Sequence, residues 1–276
     1  MRLLVVLLFL LAAFFAAVTG GGCNRRCNSL VVPYPFGFSG ACPILLACNA
    51  TNSTPLLPHS TTAAPYPILS FNYSTSTFIV SLAPSCNRSV VDAKVSLSGA
   101  GYGISSRTGL LLRGGCRATG TCTVSANIMA KQLHTTAQCG ANGNDIAWTC
   151  VATPPTNNTA ALRGQGQFMA WDSVDAAGCE DLLSAVVYAA AGMPSLEFGV
   201  AELGWWLNGT CAGATADGQC VVNATCHVVK TPSEAWGHRC ACPDGMSGDG
   251  FADGDGCLYG EFVRLSSIDC LWTVKN

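Results

Sequence analysis

The amino-acid sequence predicts a mainly β protein built from small disulfide-rich modules. Seventeen cysteines occur in its 276 residues, and none lies in the apolar leader that opens the chain. Short segments rich in β-branched and aromatic residues alternate with Gly, Pro and Asn turns, which is typical of strands. Only 11% of the residues are charged. Disulfides are the usual means of stabilising small exported modules of this kind.

The leader has the pattern of a secretory signal peptide. Arg2 precedes sixteen consecutive apolar residues, Leu3 to Val18, and small residues follow at Thr19 to Gly22. Residues 1–22 are therefore predicted to direct secretion, and an uncleaved leader that anchors the chain in a membrane is the alternative. No second apolar run reaches the roughly 18 residues that cross a bilayer. In an oxidising compartment the cysteines are expected to form disulfides.

Seven Asn-x-Ser/Thr sequons occur in the chain, and none has Pro in the middle position. An exported protein with this many acceptors is expected to carry N-linked glycans, which must lie on the surface. The acceptor asparagines are Asn49, Asn52, Asn72, Asn87, Asn157, Asn208 and Asn223.

Residue composition predicts strands between residues 71 and 112. The predicted strands are Phe71–Ser74, Thr77–Leu82, Lys94–Leu97 and Gly109–Leu112. The stretch Thr51–Pro67, rich in Ser, Thr and Pro, is predicted to be an exposed loop. A second loop is predicted at Thr153–Thr159, where it marks a module boundary.

One short buried helix is predicted near residues 180–191. Two acidic residues stand at its start, where they complement the helix dipole, and Gly192 with Pro194 follows its end. The residues from Leu182 to Ala191 are almost all apolar, so burial on every side is expected.

The net charge of −2 hides a strong asymmetry along the chain. Residues 23–131 contain eight basic residues and one acidic residue, residues 132–205 contain one and seven, and residues 206–276 contain four and eight. A basic segment followed by acidic ones suggests a polyanionic partner for the first segment.

Six cysteines near the carboxyl end have a distinctive spacing. They are Cys211, Cys220, Cys226, Cys240, Cys242 and Cys257. Because one residue separates Cys240 from Cys242, these two must reach different partners. The spacing, with the glycine-rich segment Gly245–Phe251, resembles an EGF-like module. The resemblance implies the pairs Cys211–Cys226, Cys220–Cys240 and Cys242–Cys257.

The acidic cluster in this segment favours turns over a calcium site. Asp249, Asp253 and Asp255 lie close together, and Asp-Gly pairs are ordinary turn formers. Calcium-binding EGF-like modules carry acidic or amide residues ahead of their first cysteine, where this chain has a single sequon residue, Asn208. No metal is predicted.

Cysteine-framed motifs also occur in the rest of the chain. Cys27 opens the string Cys-Asn-Ser-Leu-Val-Val-Pro-Tyr-Pro-Phe-Gly, and Cys42 and Cys48 follow it. Gly-Cys stands at 115–116, Trp-Thr-Cys at 148–150 and Ala-Glu-Leu-Gly-Trp-Trp-Leu-Asn-Gly-Thr-Cys at 201–211. These motifs resemble the ectodomains of plant wall-associated receptor kinases, although Asn28 replaces the usual glycine. The resemblance implies a lectin-like ectodomain that contacts pectin in the cell wall.

The resemblance and the boundaries together give a predicted domain order. It comprises a signal peptide (1–22), a galacturonan-binding cysteine-rich domain (23–131), a second cysteine-containing region (132–206), an EGF-like module (207–257) and a tail (258–276). Family members usually continue into a transmembrane helix and a cytoplasmic kinase. The short tail therefore predicts a receptor-like ectodomain without either, which is secreted or the product of an alternative or truncated gene model.

The odd number of cysteines gives a further expectation. Ten lie from Cys23 to Cys179 and six from Cys211 to Cys257, so each set can pair internally. Cys270 is then free or forms an intermolecular disulfide.

The predicted partner is pectic galacturonan, a chain of carboxylates. Arginine binds carboxylates bidentately, and sugar rings stack on aromatic side chains. The candidate ligand-binding residues are Arg25, Arg26, Tyr34, Phe36, Arg113 and Arg117. The alternative is that the arginines are solvated surface residues and that Tyr34 and Phe36 fill the core.

The sequence predicts a non-catalytic protein. No nucleophile elbow, His-Glu-x-x-His motif or P-loop occurs, and the four histidines are scattered. We expect an extracellular polysaccharide-binding protein of the cell wall that binds neither nucleic acid nor a cofactor. The alternatives are a secreted cystine-rich decoy or co-receptor, which binds a protein or peptide through the EGF-like module, and a wall hydrolase that uses paired carboxylates of residues 132–206.

Overall fold

The computed structural model describes residues 22–58, 64–117, 120–122, 148–153, 168–188 and 196–259. Within these ranges the strands are β1 (Arg26–Cys27), β2 (Leu30–Val31), β3 (Phe36–Gly37), β4 (Ile44–Leu45), β5 (Ala47–Asn49), β6 (Thr54–Leu57), β7 (Tyr66–Asn72), β8 (Thr77–Ser81), β9 (Tyr102–Ile104), β10 (Thr108–Arg113), β11 (Trp148–Ala152), β12 (Asp181–Tyr188), β13 (Leu196–Phe198), β14 (Val200–Trp205), β15 (Leu207–Asn208), β16 (Thr225–Lys230), β17 (Trp236–Ala241), β18 (Met246–Ser247) and β19 (Leu258–Tyr259). The helices there are α1 (Val90–Leu97), α2 (Trp171–Ala177) and α3 (Cys211–Ala216). The mainly β class is confirmed.

A six-stranded sheet has the strand order β5-β6-β7-β8-β14-β9. Phe78 and Val80 of β8 are fully buried, whereas the residues on either side of them are half-exposed. This alternation is expected of a strand that packs one face on the core. Strand β14 lies between β8 and β9 and is antiparallel to both. Distant parts of the chain thus complete one sheet.

A four-stranded sheet, β11-β10-β12-β13, shares the main core with the first sheet. Leu110 and Leu112 of β10 belong to that core, whereas Leu111 packs with Cys150 in a second cluster. We call residues 22–206, which supply both sheets, the β-module. Residues on both sides of the predicted boundary at 131/132 contribute to it, and the boundary itself lies outside the described residues.

The predicted helix near 180–191 is wrong, because Asp181–Tyr188 is strand β12. Residues 189–191 lie outside the described residues. The strand pairs with β10 and β13 and is covered on both faces: Leu182 and Ala185 join the main core, and Leu183 and Val186 join the second cluster. A strand buried on both faces is apolar throughout, as a buried helix is. Of the residues that suggested helix ends, Glu180 precedes the strand and Asp181 is its first residue, while Gly192 and Pro194 lie outside the described residues.

The predicted strand Lys94–Leu97 is also wrong, since these residues end helix α1. Ser89 caps the helix, and its Oγ accepts a hydrogen bond from the backbone N–H of Val91 (3.2 Å). Val90, Ala93 and Leu97 are buried on one face, at the spacing of a helix. Helical spacing over eight residues therefore outweighs the β propensity of the valines.

The predicted loop Thr51–Pro67 is partly wrong, because it contains β6 and the first residues of β7. Leu57 and Tyr66 are buried there, and residues 59–63 lie outside the described residues. The predicted strands at 77–82 and 109–112 correspond to β8 and β10. The segment Phe71–Ser74 is divided between the end of β7 and the following turn.

Disulfides cross-link the β-module. The pairs seen in full are Cys23–Cys42, Cys27–Cys48, Cys116–Cys179 and Cys122–Cys150. Cys86 is also disulfide-bonded. Cys139 and Cys270 lie outside the described residues. The prediction that Cys270 has no partner within the chain therefore stays a prediction.

Residues 207–259, which we call the cassette, form the sheet β15-β17-β16 and the hairpin β18-β19. Its disulfides are Cys211–Cys226, Cys220–Cys240 and Cys242–Cys257, the pairing that the EGF-like resemblance implies. Its core cluster contains only Ala214, Phe251 and two half-cystines, together with Tyr34 of the β-module. Disulfides therefore supply much of the stabilisation that a larger hydrophobic core would provide.

No helix in the described ranges is long and apolar enough to span a bilayer, and the leader lies outside those ranges. The described part also contains no cluster of His, Cys, Asp or Glu arranged to hold a metal ion. Asp249 instead accepts hydrogen bonds from the backbone N–H groups of Phe251, Asp255 and Gly256, and so holds a turn.

The predicted glycosylation sites are compatible with the described surface. Asn157 lies outside the described residues, Asn49 is half-exposed, and the other five acceptors are exposed. Asn72 stands at the end of β7, next to the turn that leads to β8.

Candidate functional site

A groove of about 580 Å³ opens where the β-module meets the cassette. The β7–β8 turn, the segment after β9 and part of β14 line it on the β-module side, and β16 and β17 line it on the cassette side. Its lining residues are Ser74, Thr75, Ser76, Thr77, Ser105, Ser106, Arg107, Glu202, Gly204, Cys226, His227, Val228, Val229, Arg239 and Ala241. Residues with hydroxyl groups dominate the β-module wall.

The β7–β8 turn is held in shape by its own side chains. Asn72 Oδ1 accepts hydrogen bonds from the backbone N–H groups of Ser74 (3.1 Å) and Thr75 (3.3 Å), as in an Asx turn. Ser76 has a positive φ of 51°, and its carbonyl oxygen accepts a hydrogen bond from the backbone N–H of Trp205 (3.1 Å). The hydroxyl-rich wall is therefore ordered before any ligand binds.

Glu202 of β14 contributes a carboxylate that is almost fully buried, with 4% of the residue exposed. Ser105 Oγ donates a hydrogen bond to Glu202 Oε1 (2.7 Å), and Arg107 Nη1 donates one to Oε2 (3.0 Å). A buried carboxylate requires such partners, because burial without them is strongly unfavourable. Glu202 thereby fixes the position of Arg107.

Arg107 is oriented by the fold yet remains accessible. Its Nε donates a hydrogen bond to the carbonyl oxygen of Tyr188 (3.0 Å), and 42% of its side chain is exposed. Its Nη2 group has no partner among the described residues. The planar guanidinium therefore keeps donors available for an acidic ligand.

Arg239 of β17 joins the cassette to the β-module. Its Nε donates a hydrogen bond to the carbonyl oxygen of Trp205 (2.7 Å), and its Nη1 donates one to that of Thr75 (3.3 Å). The guanidinium carbon lies 5.5 Å from the centre of the Phe168 ring. Burial lowers the pKa of Arg239 to about 10, although the charge of Glu202 acts in the opposite direction. Arg239 is therefore a cation at neutral pH.

The groove has the chemistry of a binding site for a hydroxylated anion. Guanidinium groups donate to carboxylates, and serine and threonine hydroxyls can donate to or accept from sugar hydroxyls. Glu202 is the one carboxylate among the described lining residues and is already paired. The lining thus offers no carboxylate pair of the kind that glycosidases use.

Two of the residues predicted to bind the ligand are buried. Phe36 is fully buried and makes ring contacts with Phe78 and Trp205 at 5.2 Å. Tyr34 is 9% exposed and packs against Phe251 of the cassette, with 5.2 Å between ring centres. Their positions match the core-packing alternative, because neither ring has a free face for a sugar.

Two of the predicted arginines are paired with acids. Arg25 contacts Asp255 of the cassette (2.8 Å). Arg113 contacts Asp181 (3.2 Å) and donates a hydrogen bond to the carbonyl oxygen of Cys86 (2.9 Å). These two arginines therefore connect segments of the same chain.

The remaining candidates, Arg26 and Arg117, are exposed. Arg26 lies in β1, and the Arg117 side chain lies against Gly178 at the end of α2. Neither lines the groove. Of the six candidates, the fold brings Arg25 and Tyr34 together. Both contact the cassette loop that contains Phe251 and Asp255.

The charge asymmetry of the sequence is partly neutralised within the fold, by ion pairs of four of the eight basic residues of 23–131. Each of the following ion pairs joins a basic residue of 23–131 to an acidic residue that comes later in the chain. They are Arg25–Asp249, Arg25–Asp255, Lys94–Asp175, Arg107–Glu202 and Arg113–Asp181. These four basic residues connect segments of the chain. Arg107, which is only partly used, and the exposed Arg26 and Arg117, which make no ion pair within the described residues, remain available to a partner.

The sequence did not predict Arg107, Glu202 or Arg239 as site residues. A signal for Glu202 was present, because it is a single charge in the apolar string Val-Ala-Glu-Leu-Gly-Trp-Trp, and a charge in a buried strand requires a partner. Arg107 and Arg239 carry no comparable local signal, since 132 residues separate them in the chain.

Comparison with known proteins shows which proteins this chain is related to. No family model matches it, and no solved structure matches it. It is 30% identical over 234 residues to wall-associated receptor kinase-like 14 of Arabidopsis thaliana, a match that covers 84% of this chain and 30% of the relative. It is 25% identical over 232 residues to wall-associated receptor kinase-like 21 of the same plant, covering 84% of this chain and 33% of the relative.

The chain spans about a third of the length of these curated relatives. The matched region includes most of the described residues, because it covers 84% of the chain. The cysteine-framed motifs and the two matches indicate the same group of proteins. The chain is homologous over this region to the wall-associated receptor kinase-like proteins.

Proposed function

We propose that this chain is an extracellular, non-catalytic recognition segment of a receptor-like protein of the plant cell wall, and that it binds pectic galacturonan. The proposal includes export directed by residues 1–22 and N-linked glycans on the accessible sequons. The two relatives are named wall-associated receptor kinase-like, which supports a role at the cell wall. The groove supplies the chemical basis for the ligand.

The accessible guanidinium of Arg107 carries the proposal. Glu202 and the carbonyl oxygen of Tyr188 fix its orientation, and Nη2 remains unpaired within the described part of the chain. A uronate carboxylate can accept hydrogen bonds from such a group, while the serines and threonines of the same β-module wall meet the sugar hydroxyls. Because these donors are already ordered, binding immobilises few side chains.

The first test is retention on immobilised polygalacturonate over a series of salt concentrations, with a neutral glucan as control. We expect stronger retention on polygalacturonate at low salt, and a decline as salt is added because screening shortens the range of the attraction. Equal retention on both supports, or none on either, would contradict the proposal.

Substitutions then locate the site. Arg107→Gln removes the accessible guanidinium and should weaken binding by roughly tenfold, the effect of losing a charge-assisted hydrogen bond. The control is Arg26→Gln with Arg117→Gln, which removes two exposed charges outside the groove. Thermal denaturation must show that each variant is folded. If only the control variant loses affinity, the ligand binds at the surface predicted from the sequence and not in the groove.

A second candidate function is recognition of an extended peptide. Strand β16 is an edge strand of the described cassette sheet, and Cys226 to Val229 of this strand line the groove. An edge strand offers backbone donors and acceptors to which a peptide can add as a further strand. A stoichiometric protein partner that polygalacturonate does not displace would favour this function.

A further inference from the structure

An ion-pair cluster joins the cassette to the start of the chain. Arg25 Nη2 lies 2.8 Å from Asp255 Oδ1, and Arg25 Nη1 lies 3.7 Å from Asp249 Oδ2. The Asp249 side chain is 1% exposed, and that of Arg25 is 19% exposed. We call these three residues the clasp. Arg25 and Asp255 are 230 residues apart in sequence, so the clasp forms only when the cassette is seated on the β-module.

Apolar packing reinforces the clasp. The Tyr34 ring packs on Phe251, and both belong to a buried cluster that includes Cys220 and Cys240. The cassette is therefore held at two places, by the clasp with Tyr34 and by the hydrogen bonds of Arg239 near the groove.

Direct backbone packing connects the clasp loop to the groove. A Cβ atom on Gly250 would lie 2.9 Å from the carbonyl carbon of Cys240 and 3.0 Å from the nitrogen of Ala241. Ala241 and Arg239, on either side of Cys240, line the groove. The cassette loop that carries Asp249 and Asp255 thus rests on strand β17, which forms part of the cassette wall, and the Cys220–Cys240 disulfide ties that strand to the rest of the cassette.

We propose that the cassette is an essential wall of the binding groove and that the clasp, by seating the cassette, sets the affinity of the groove for galacturonan. This inference rests on the function proposed above. Arg25 and Asp255 are positioning residues in this scheme and do not contact the ligand. It assigns to Arg25 a role different from the direct contact predicted from the sequence.

The thermodynamic reason is linkage between seating and binding. A ligand that touches both walls binds the seated state, so its apparent affinity falls in proportion to any loss of that state. Linkage is reciprocal, and a bound ligand must therefore stabilise the clasp by the same factor.

The effect of Asp255→Asn on the affinity for polygalacturonate shows whether Arg25 contacts the polysaccharide or seats the cassette, because the two roles predict changes of opposite sign. This substitution removes the charge partner of Arg25, while the backbone N–H of residue 255 still donates to Asp249. If Arg25 contacted the polysaccharide, loss of a competing acid would strengthen retention on polygalacturonate. If the clasp seats the cassette, the apparent Kd rises by about fivefold or more, as expected for coupled sites.

Asp253→Asn is the matched control, because Asp253 is exposed and makes no ion pair within the described residues. It changes the net charge by the same amount two residues away and should leave the Kd unchanged. Arg25→Ala should weaken binding as Asp255→Asn does, and Arg25→Lys should restore part of the affinity because it keeps a cation beside Asp255.

Hydrogen exchange measured on the full chain gives a second readout. Polygalacturonate should slow exchange of the amides of residues 249–256 in the unaltered protein, and Asp255→Asn should reduce that protection. Retention of Asp255→Asn that equals or exceeds that of the unaltered protein overturns the inference and leaves the proposed function in place. If the unaltered protein itself fails to bind, the proposed function is wrong, and the inference is overturned with it.

Discussion

The β-module and the cassette reach a folded state by different means. Among the described residues, the main core of the β-module contains twenty-five buried residues, drawn from both of its larger sheets. The cassette cluster contains five, of which two are half-cystines and one, Tyr34, belongs to the β-module. The β-module therefore relies mainly on burial of apolar surface, whereas the cassette relies on cross-links and on its contact with a larger neighbour.

Truncation of a core aromatic in the β-module should have the largest effect. Phe78 is fully buried and contacts Phe36, Phe71 and Trp205. Phe78→Ala should lower the free energy of unfolding by about 3–5 kcal/mol, as large-to-small substitutions of buried aromatic residues do. Denaturant unfolding followed by fluorescence measures this change. Val91→Ala on the exposed face of α1 is the control, and a comparable loss there would contradict the burial argument.

Removal of one cassette disulfide should have the next largest effect, and a local one. Cys220→Ser with Cys240→Ser opens a loop of 20 residues, which costs about 3 kcal/mol in the chain-entropy model. Hydrogen exchange should accelerate in residues 207–259, while the sheets of the β-module remain protected. Equal loss of protection in both regions would show that the two fold as one cooperative unit and would break the comparison.

Protonation of His238 should have the smallest effect. His238 is 1% exposed, its Nε2 has no hydrogen-bond partner in the described residues, and burial lowers its pKa. The unfolded chain therefore binds this proton more tightly than the folded cassette does. The free energy of unfolding is therefore highest above the pKa that His238 has in the unfolded chain. It falls as the pH drops through that pKa, by no more than about 1.4 kcal/mol per pH unit.

Thermal denaturation at a series of pH values between 7.5 and 5 measures the effect of His238. His238→Gln should flatten the dependence, whereas His227→Gln, at an exposed position of β16, should leave it as it is. A slope that persists in His238→Gln would assign the pH dependence to other groups.

The sequence predicted features that depend on local composition or on a resemblance to a known module. Strand β8 lies where β-branched and aromatic residues predicted a strand, and the cassette disulfides are the pairs that the EGF-like resemblance implies. The prediction of a helix near 180–191 was wrong because an apolar run fits a buried helix and a buried strand equally well. Its sequence does not reveal whether the backbone hydrogen bonds form within the segment or with neighbouring strands. In this fold, β10 and β13 supply those bonds to β12.

The candidate site was less accessible to prediction, because its parts meet only through long-range contacts. The excess of basic residues in 23–131 was visible in the sequence, but the partners of Arg25 and Arg107 are 230 and 95 residues away. A partner at that distance has no fixed sequence offset. Charge counts therefore indicated that cations were present without indicating which of them the fold had already neutralised.

The insertion of β14 between β8 and β9 constrains the order in which a newly made chain can fold. Synthesis completes β8 and β9 about 100 residues before β14, and until β14 is made neither strand has this neighbour. The chain must therefore reach residue 205 before the six-stranded sheet can close. A fragment that stops at residue 131 leaves the facing edges of β8 and β9 unpaired, and such edges promote aggregation. The smallest unit suitable for expression consequently extends through β14.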